Sequence, residues 1–507
     1  MRANAKAKTG FQTTSWQPLE RHQGMPSQGK RDTQQPGQLE SRARNSILTA
    51  PMAQSSDKML HRLQKESFGY FAREYNPSNG LVRDKTEGLS PSSIAVTGFS
   101  LAVYIVAVER GIMSRGEALE RTLTAVRFFA GSSQGAEADA TGHRGFYYHF
   151  LDMEGGRRAW ACELSTMDTS LLILGMLVAA EYFSGDNARE REVRERAYEL
   201  YRRVEWDWAC NRAHTLSHGY SPEKGFLKYR WRGYNEGLPL YLLALGSAAH
   251  SLSCESYRAW TRTYQWRCVY GYEYLYAGPL FIHQFMHAWI DFRGLQDDFM
   301  REKSIDYFEN SRRATYVQRE YCRRNSQGFE CRSELSWGIT ACDGPGPCVR
   351  RIKGCKRRFF GYHARGVPFG PDDGTVSAGA AVASLPFAPE IVLPTIEYFL
   401  KTEVGRRGPC GFAVSFNPMF GDSTPQGFWR SKYNFGLNHG LLILMIENFR
   451  SGLIWRLMRN CQPIIRGLQR AGFSGAWLPS GIRSLRSEGY YRRATRAGSR
   501  GGSTRES

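Results

Sequence analysis

The chain has 507 residues, of which 41% are hydrophobic and 13% aromatic, enough for a substantial core, and its formal net charge is +20. Three segments carry nearly all of this charge: residues 1–57 contribute +4, residues 349–358 contribute +6 and residues 451–507 contribute +9. Because the remaining body is close to neutral, the charge indicates basic ends and one basic insertion, and not a folded nucleic-acid-binding face. No specific nucleic-acid partner is predicted.

The first thirty residues contain no apolar stretch of the kind that forms a signal peptide. The apolar run at residues 171–180 is too short to span a bilayer and predicts a buried helix. The sequence therefore predicts a soluble protein without a membrane span, cytoplasmic by default, or periplasmic or secreted if the start codon is misassigned. Its oligomeric state is left open.

Three segments are predicted along the chain. Residues 1–56, rich in Gln, Ser, Arg and Pro, are expected to be a disordered basic segment, and residues 474–507 a disordered Arg-rich tail. Between them, residues 57–473 contain about a dozen helical patterns, with Asp57 as the first N-cap. Buried and amphipathic patterns alternate, and long loops rich in aromatic residues separate them. The predicted fold class is all-α, an (α/α)6 toroid or barrel whose loops form a cleft.

Metal and cofactor motifs are weak. Of eleven cysteines, Cys342, Cys348 and Cys355 are closest together, but gaps of five and six residues are wider than zinc pairs usually show. A reduced, incidental cluster is predicted, with a zinc site or a disulfide as alternatives. His283 and His287, four residues apart in IHQFMHAWIDF, are predicted to share one helix face, where metal binding, substrate hydrogen bonding and packing all remain open. No cofactor is predicted.

Carboxylates and aromatic residues cluster in the loops. A sugar-binding cleft needs flat aromatic faces with a few fixed polar groups, and glycoside hydrolysis needs two carboxyl groups beside the scissile bond. The loops supply both kinds of group. The candidate substrate-binding residues, together with the two histidines above, are Tyr148, His149, Asp152, Trp231, Tyr234, Asn235, His363, Arg365, Asp372 and Asp373.

Two carboxylates stand at predicted helix starts. Glu236 precedes the apolar run GLPLYLLALGS, where it would either complement the helix macrodipole or face a cleft as a proton donor. Asp168 follows Ser165 at the spacing of a capping box, so a purely capping role is the alternative to a functional one. The residues alone leave both choices open.

Ordered blocks along the chain resemble the bacterial glucoamylase-like family related to endo-β-1,2-glucanases and to the glucanase-like domain of cyclic β-1,2-glucan synthases. A dozen such blocks run in one order from about Ser92 to Phe473, among them SSIAVTGFSLAVYIVAVERG, GFYYHFLDMEGGRR, ELSTMDTSLLILG, WRGYNEG, GPLFIHQFMHAWIDFRGL and GYHARGVPFGPDDGTV. The resemblance implies an (α/α)6 barrel and an inverting attack of water on a β-1,2-linked glucan. It also implies that Glu236 is the proton donor, that Asp168 is a second functional carboxylate, and that the partner is an oligo- or polysaccharide.

The chain departs from the family pattern in two places. Relatives with a G-x-D-x-G segment offer its Asp as a candidate base, whereas this chain reads GLNHG, with Asn438. If that position is the base, the chain is a non-hydrolytic glycan-binding relative, or the role has moved to Asp168, Asp372 or Asp373. A transglycosylase or phosphorylase variant would use similar carboxylates and stays open. The second departure is the basic insertion CVRRIKGCKRRFF.

Overall fold

The structure is a computed structural model that describes residues 54–330, 332–402, 407–408, 410–421 and 427–480. Most elements are α-helices, which are, in chain order, α1 Gln54–Arg73, α2 Ile94–Glu109, α3 Arg115–Gly131, α4 Thr166–Tyr182, α5 Ala188–Arg203, α6 Leu238–Gly246, α7 Cys254–Thr261, α8 Phe285–Trp289, α9 Asp298–Glu302, α10 Tyr307–Arg324, α11 Ala378–Ala383, α12 Pro389–Lys401, α13 Gly436–Arg450, α14 Leu453–Met458 and α15 Gln462–Arg470. Within these ranges, none of the helices is both long and apolar enough to cross a bilayer.

The centre of the molecule is built from helices that are apolar on every side. Helix α2 begins at Ser93, whose hydroxyl accepts the N–H of Val96, and nearly all of its residues are buried. Helix α4 is similarly buried, as predicted for residues 171–180. A helix without a polar face must be enclosed by other elements. These helices are neighbours in the order α13, α2, α4 and α6.

Amphipathic helices cover this centre. Helix α3 packs on α2, α5 packs on α4, and α1 packs on α13, each with its apolar stripe facing inward. The alternation predicted from the sequence is therefore present, and the all-α class is confirmed. The closed ring of six helix pairs stays a prediction.

Three predicted helices are interrupted. Residues 282–295 were expected to be one helix, but the structure has a 3-10 turn at Leu280–His283 and then the short helix α8. Gln284, between them, has a φ of −115°, outside helical geometry. The prediction that His283 and His287 share one helix face is therefore wrong. The apolar spacing also predicts one helix over residues 300–322 and another over residues 439–458. The structure divides the first into α9 and α10 and the second into α13 and α14.

The boundaries of the folded body differ slightly from those predicted. Helix α1 begins at Gln54, so Asp57 lies in its first turn and is not the N-cap. At the other end, Ser474 bridges to Gln296, and the Trp477 indole N–H donates to the carbonyl of Asp291 at 2.8 Å. Residues 474–480 therefore pack against the body and are not part of a disordered tail. Residues 1–53 and 481–507 lie outside the described residues, so the division into three segments stays a prediction.

The strands are short and lie in the loops. They are β1 Ser92–Ser93, β2 Gly142–His143, β3 Phe146–Tyr147, β4 Phe150–Leu151, β5 Leu164–Ser165, β6 Gly219–Ser221, β7 Gly225–Phe226, β8 Trp266–Val269, β9 Tyr272–Leu275, β10 Ala341–Cys342, β11 Cys348–Ile352, β12 Cys355–Phe359, β13 His363–Ala364, β14 Arg407–Gly408, β15 Gly411–Phe412, β16 Phe416–Asn417 and β17 Trp429–Arg430. All ladders are antiparallel, and β5, β6 and β7 form the one three-stranded sheet among the described residues. The longest hairpin, β11–β12, is the basic insertion.

Candidate active-site cleft

A cleft of about 660 Å³ lies where the N-terminal ends of three apolar helices meet. Asp168 comes from the first turn of α4, Glu236 from the turn before α6, and Asn438 from the first turn of α13. Aromatic rings make up much of the wall between them. These are His149, His218, Tyr229, Trp231, Tyr234, Tyr276, Phe281, Phe285 and Tyr362.

Glu236 has the most strongly raised carboxyl pKa of the lining residues. Its pKa is raised to about 7, mainly by burial, which a backbone N–H opposes and to which the negative charge of Asp168 adds a smaller rise. A helix N-terminus favours the ionised carboxylate, so burial outweighs the macrodipole here. Glu236 therefore holds a proton up to about neutral pH, as a general acid must.

Asp168 lies in the capped first turn of its helix and faces the cleft. The Ser165 hydroxyl accepts the backbone N–H of Asp168 at 3.1 Å, which is one half of the predicted capping box, and donates to the Asp168 carboxylate. Asp168 Oδ2 also lies 3.6 Å from Nε2 of His149. The two bonds to Ser165 fix the backbone of Asp168 and one of its carboxylate oxygens. The carboxylate still lines the cleft.

His149 lies between two carboxylates. Its Nδ1 is 3.0 Å from Glu163 Oε1, and its ring stacks on Phe150 at 4.0 Å. Burial alone would lower the pKa of His149, but Asp168, Glu163 and Asp84 together raise it to about 9. Conversely, burial would raise the pKa of Glu163, and His149 brings it below its usual value. His149 is therefore an imidazolium at neutral pH.

Asp84 belongs to the same charge cluster, and the sequence analysis did not single it out. It precedes β1, and its carbonyl accepts the backbone N–H of Gly436 at the start of α13. Burial raises the pKa of Asp84 to about 6, against the opposing charges of His149 and Lys85, and Asp168 adds to the rise. The loop sequence LVRDKTEG around it carries no motif, so only the fold reveals this group.

Ring stacking and hydrogen bonds fix several aromatic and amide side chains of the cleft in place. Trp231 stacks on His218 at 3.8 Å and donates its indole N–H to the Thr166 hydroxyl at 3.0 Å. The Tyr234 hydroxyl lies 3.3 Å from Nδ1 of His283 behind the wall. Asn235 Oδ1 accepts the N–H of Gly237, which fixes the turn that carries Glu236. These predicted residues are thus brought together with the two carboxylates.

The two aspartates proposed as alternative bases lie outside the cleft lining. Asp373 forms a two-pronged ion pair with Arg365, at 2.7 and 2.8 Å, and both side chains are fully buried. Asp372 pairs with buried Arg332 at 2.8 Å and accepts the Tyr321 hydroxyl at 3.0 Å. Neither carboxylate is free to take a proton from water in the cleft.

Arg365 and five other predicted residues also lie outside the lining. Tyr148 is buried beneath Arg158, and the Asp152 carboxylate accepts three backbone N–H groups of its own turn. The other three are histidines. His363 stacks on a phenylalanine ring at 4.5 Å. His283 and His287 are buried and bonded to backbone carbonyls, and burial lowers their pKa values to about 4 and about 3.

Asn438 lines the cleft. It occupies the position for which the family resemblance implies an aspartate. Its neighbour His439 points away, stacking on Tyr70 at 5.6 Å and contacting Asn434 at 3.1 Å. The position itself is therefore part of the site, and its side chain is an amide that cannot act as a base.

Metal-binding groups do not cluster in the part of the chain that the structure describes. There, no three His, Cys, Asp or Glu side chains are arranged to hold a metal ion. Cys342, Cys348 and Cys355 are all unpaired thiols.

Comparison with known proteins finds that the chain is similar to glucan-active enzymes. Residues 228–462 match the model of a family described as "Putative glucoamylase", a range that includes Glu236 and Asn438. An exo β-1,2-glucooligosaccharide sophorohydrolase of Parabacteroides distasonis is 25% identical over 460 residues, which cover 84% of this chain and 59% of that protein. The chain thus spans about three fifths of the length of this curated relative.

Solved structures give the same picture. An endo-β-1,2-glucanase from Chitinophaga pinensis, in complex with sophorotriose and glucose, is 26% identical with a TM-score of 0.72, covering 84% of this chain and all of that one. A "putative glucoamylase" from Bacteroides uniformis is 28% identical with a TM-score of 0.74, covering 85% of this chain and all of that one. The family resemblance seen in the sequence is confirmed.

Proposed function

We propose that this chain belongs to the glucoamylase-like family and is a glycoside hydrolase that cleaves a β-1,2-linked glucan with inversion at the anomeric carbon. The observation that carries the proposal is Glu236, a buried carboxyl group with a pKa of about 7 that lines an aromatic cleft beside Asp168. Enzymes named for β-1,2-glucans among the similar proteins support the choice of linkage. The (α/α)6 toroid is proposed as the scaffold.

Glu236 is proposed to act as the general acid. It donates its proton to the glycosidic oxygen as the bond from that oxygen to the anomeric carbon breaks. A water molecule attacks the same carbon from the opposite face, and its proton passes to the base. The products are two shorter glucans, and Glu236 is left as a carboxylate that must regain a proton.

Asp168 is proposed as the group that accepts the proton from water. Its place in the cleft lining distinguishes it from Asp372 and Asp373, whose carboxylates are occupied by buried arginines. The His149 imidazolium lies 3.6 Å from Asp168 Oδ2 and orients this side of the carboxylate. Ser165 holds the carboxylate oxygen in place.

The aromatic and polar side chains that line the cleft, and its volume, also suit a sugar chain. Pyranose rings present flat faces of C–H groups that pack on aromatic rings, and the rings of Trp231, Tyr234 and Tyr276 line the wall. Arg230 also lines the cleft, and its guanidinium can donate to sugar hydroxyl groups. A volume of about 660 Å³ falls within the range of sites that hold small oligosaccharide-sized ligands.

Asn438 favours a second candidate function, glycan binding without hydrolysis. If the base must come from the start of α13, the amide there would leave a site that binds glucan and protonates it without activating water. Asp168 would then serve only to cap α4. Both candidate functions predict binding of glucan, but only the hydrolase predicts its turnover.

The deciding experiment is a reducing-sugar assay on linear β-1,2-glucan, beside β-1,3-, β-1,4- and α-1,4-glucans. We expect release from the β-1,2-glucan, lost in Glu236→Gln and in Asp168→Asn. Glu181→Gln is the matched control, because burial raises the pKa of Glu181 too, but that carboxyl lies at the far end of α4 and bonds to Tyr198. Polarimetry of the first product would report inversion.

The outcomes separate the two candidates. Full activity in Asp168→Asn would remove it as the base. Binding of β-1,2-glucan by calorimetry, with no release at any pH, would favour the glycan-binding alternative. Activity that survives in Glu236→Gln would overturn the assignment of the acid.

A further inference from the structure

The basic insertion forms an ordered hairpin, which we call the basic hairpin: strands β11 and β12 with the turn between them, Cys348–Phe359. It contains six Lys or Arg residues and no Asp or Glu. Only Lys353 has a carboxylate partner among the described residues, an exposed pair with Glu330 at 2.9 Å. The sequence analysis had no account of this segment.

Like charges face each other across the ladder. Arg350 lies directly opposite Arg357, and Arg351 lies directly opposite Lys356. Directly opposed like charges destabilise a strand pair, so folding alone does not favour this arrangement. A negatively charged ligand would remove the repulsion and use the same charges for binding.

The two faces of the basic hairpin differ. Side chains alternate between faces, so Cys348, Arg350, Arg357 and Phe359 share the inner face, where Phe359 is fully buried. Arg350 stacks over Phe420 at 3.8 Å, and Arg357 over Phe329 at 4.9 Å, which anchors this face to the body.

The outer face carries Val349, Arg351, Lys356 and Arg358, all of them exposed. Of these, only Val349 is apolar. Three cations therefore point to solvent from one rigid two-stranded platform, without a hydrophobic group large enough to insert into a lipid bilayer.

This outer face continues into the rim of the cleft. The Arg358 guanidinium lies 5.3 Å from the ring of Phe360, which stacks on His363 at 4.5 Å. On either side of His363, Tyr362 and Ala364 line the cleft. Only two residues of chain join β12 to Tyr362, so a glucan that leaves the cleft along this rim passes the hairpin.

We propose that the outer face of the basic hairpin is a binding site for negatively charged substituents on the glucan that occupies the cleft. The proposal rests on the glucan-binding function proposed above and adds a preference for anionic over neutral chains. Arg351, Lys356 and Arg358 would contact sulfate-, phosphate- or carboxylate-type groups carried by sugar units outside the cleft. Since these cations are exposed, the preference weakens as salt rises.

The test compares three full-length proteins: the natural chain, Arg351→Gln/Lys356→Gln/Arg358→Gln, and the control Lys65→Gln/Arg191→Gln/Arg202→Gln. The control removes the same number of exposed charges from helices α1 and α5, and none of its residues lines the cleft. The substrates are linear β-1,2-glucan and the same glucan lightly sulfated. The readouts are kcat/KM and calorimetric affinity at 50 and 300 mM salt.

We expect the natural chain and the control to prefer the sulfated glucan at low salt. In the hairpin variant, the ratio of sulfated to neutral kcat/KM should fall about tenfold, because three exposed charge contacts each contribute a small factor. The kcat/KM on neutral glucan should not change.

Three results would overturn the proposal. The first is the same ratio of sulfated to neutral kcat/KM in all three proteins, and the second is an equal fall of this ratio in both variants. The third is loss of binding to phosphatidylglycerol-containing vesicles in the hairpin variant while its ratio of sulfated to neutral kcat/KM stays constant. The last would assign the hairpin to a lipid surface. If neither glucan is hydrolysed, the hydrolase proposal fails alone, and the calorimetric ratio decides whether the hairpin binds anionic glucan.

Discussion

The carbonyl oxygen of Gly98 lies 2.0 Å from the point that a Cβ atom on Gly175 would occupy. These two glycines are where α2 and α4 cross, and the backbones approach too closely for any side chain. The crossing positions Ser165 and Asp168 at the start of α4 relative to the start of α2.

Gly175→Ala is therefore expected to destabilise the protein by about 1–3 kcal/mol or more, because the added methyl group meets backbone that cannot rotate away. Gly116→Ala is the matched control, since a Cβ on Gly116 in α3 meets nothing within 4 Å. That change should be neutral or stabilise by up to about 1 kcal/mol. Thermal unfolding of both variants checks the difference, and equal melting temperatures would show that the helices do not cross this closely.

The acid role of Glu236 predicts the alkaline side of the pH profile. With a pKa of about 7, the protonated fraction of Glu236 falls tenfold for each pH unit well above that value. We expect kcat/KM on β-1,2-glucan to be constant below about pH 6.5. Above about pH 7.5, log kcat/KM plotted against pH should fall with a slope of −1. A fall beginning only above pH 9 would contradict the assignment.

The same group predicts how stability depends on pH. The folded state holds the Glu236 proton up to about pH 7, whereas the ordinary pKa is 4.5. Between these values the folded state binds more protons, so the free energy of unfolding decreases as pH rises and levels off above about pH 7. Glu236→Gln removes this dependence and should be more stable than the natural chain at pH 8 but not at pH 4.5. Melting temperatures at the two pH values would show it, and a constant difference would contradict it.

His149 should also make stability fall as pH rises, but in a higher pH range than Glu236. Its pKa rises from 6.5 to about 9 in the folded state, so its contribution to stability is complete below about pH 6.5 and is lost as pH rises through about 9. His149→Gln should lower the melting temperature at pH 6 by more than at pH 10. In addition, direct titration by NMR should find the His149 ring still protonated at pH 8. A neutral ring at pH 7 would remove it as the stabilising charge beside Asp168.

Asp373 is expected to matter for folding and not for turnover. Asp373→Asn leaves the Arg365 charge buried without a partner, which costs about 3–5 kcal/mol. Asp139→Asn, in an exposed pair with Arg157, should cost about 0–1 kcal/mol. Denaturant unfolding measures both, while kcat per folded molecule should stay unchanged in each variant. A lower kcat in folded Asp373→Asn would return it to the list of candidate bases.

The sequence was sufficient for some of these features and not for others. The apolar runs at α2 and α4 have no polar face, so burial is the one environment that suits them. Asp168 and Glu236 could be singled out because each stands at a recognisable helix start. By contrast, Arg365 and Asp373 are eight residues apart in one loop, and only the folded loop shows that each neutralises the other.

Asp84 was missed for a related reason. Its loop has no periodicity or motif, and its effect on His149 arises from contacts between segments far apart in sequence. The break in the helix at Gln284 also could not be predicted from the sequence. The segment IHQFMHAW has the apolar spacing of a helix, and tertiary packing bends it. Local pattern predicts which segments are helical; it does not predict where packing interrupts them.

The leading ends of α4 and α6 hold the groups proposed for bond cleavage, whereas the basic hairpin lies beside the rim. These two tasks are thus assigned to different parts of the chain: helices enclosed in the core fix the acid, and loops at the surface meet whatever the sugar carries. Loop sequences can consequently be exchanged to suit a new glucan while the geometry around Glu236 is kept, which makes this scaffold a practical starting point for engineering substrate range.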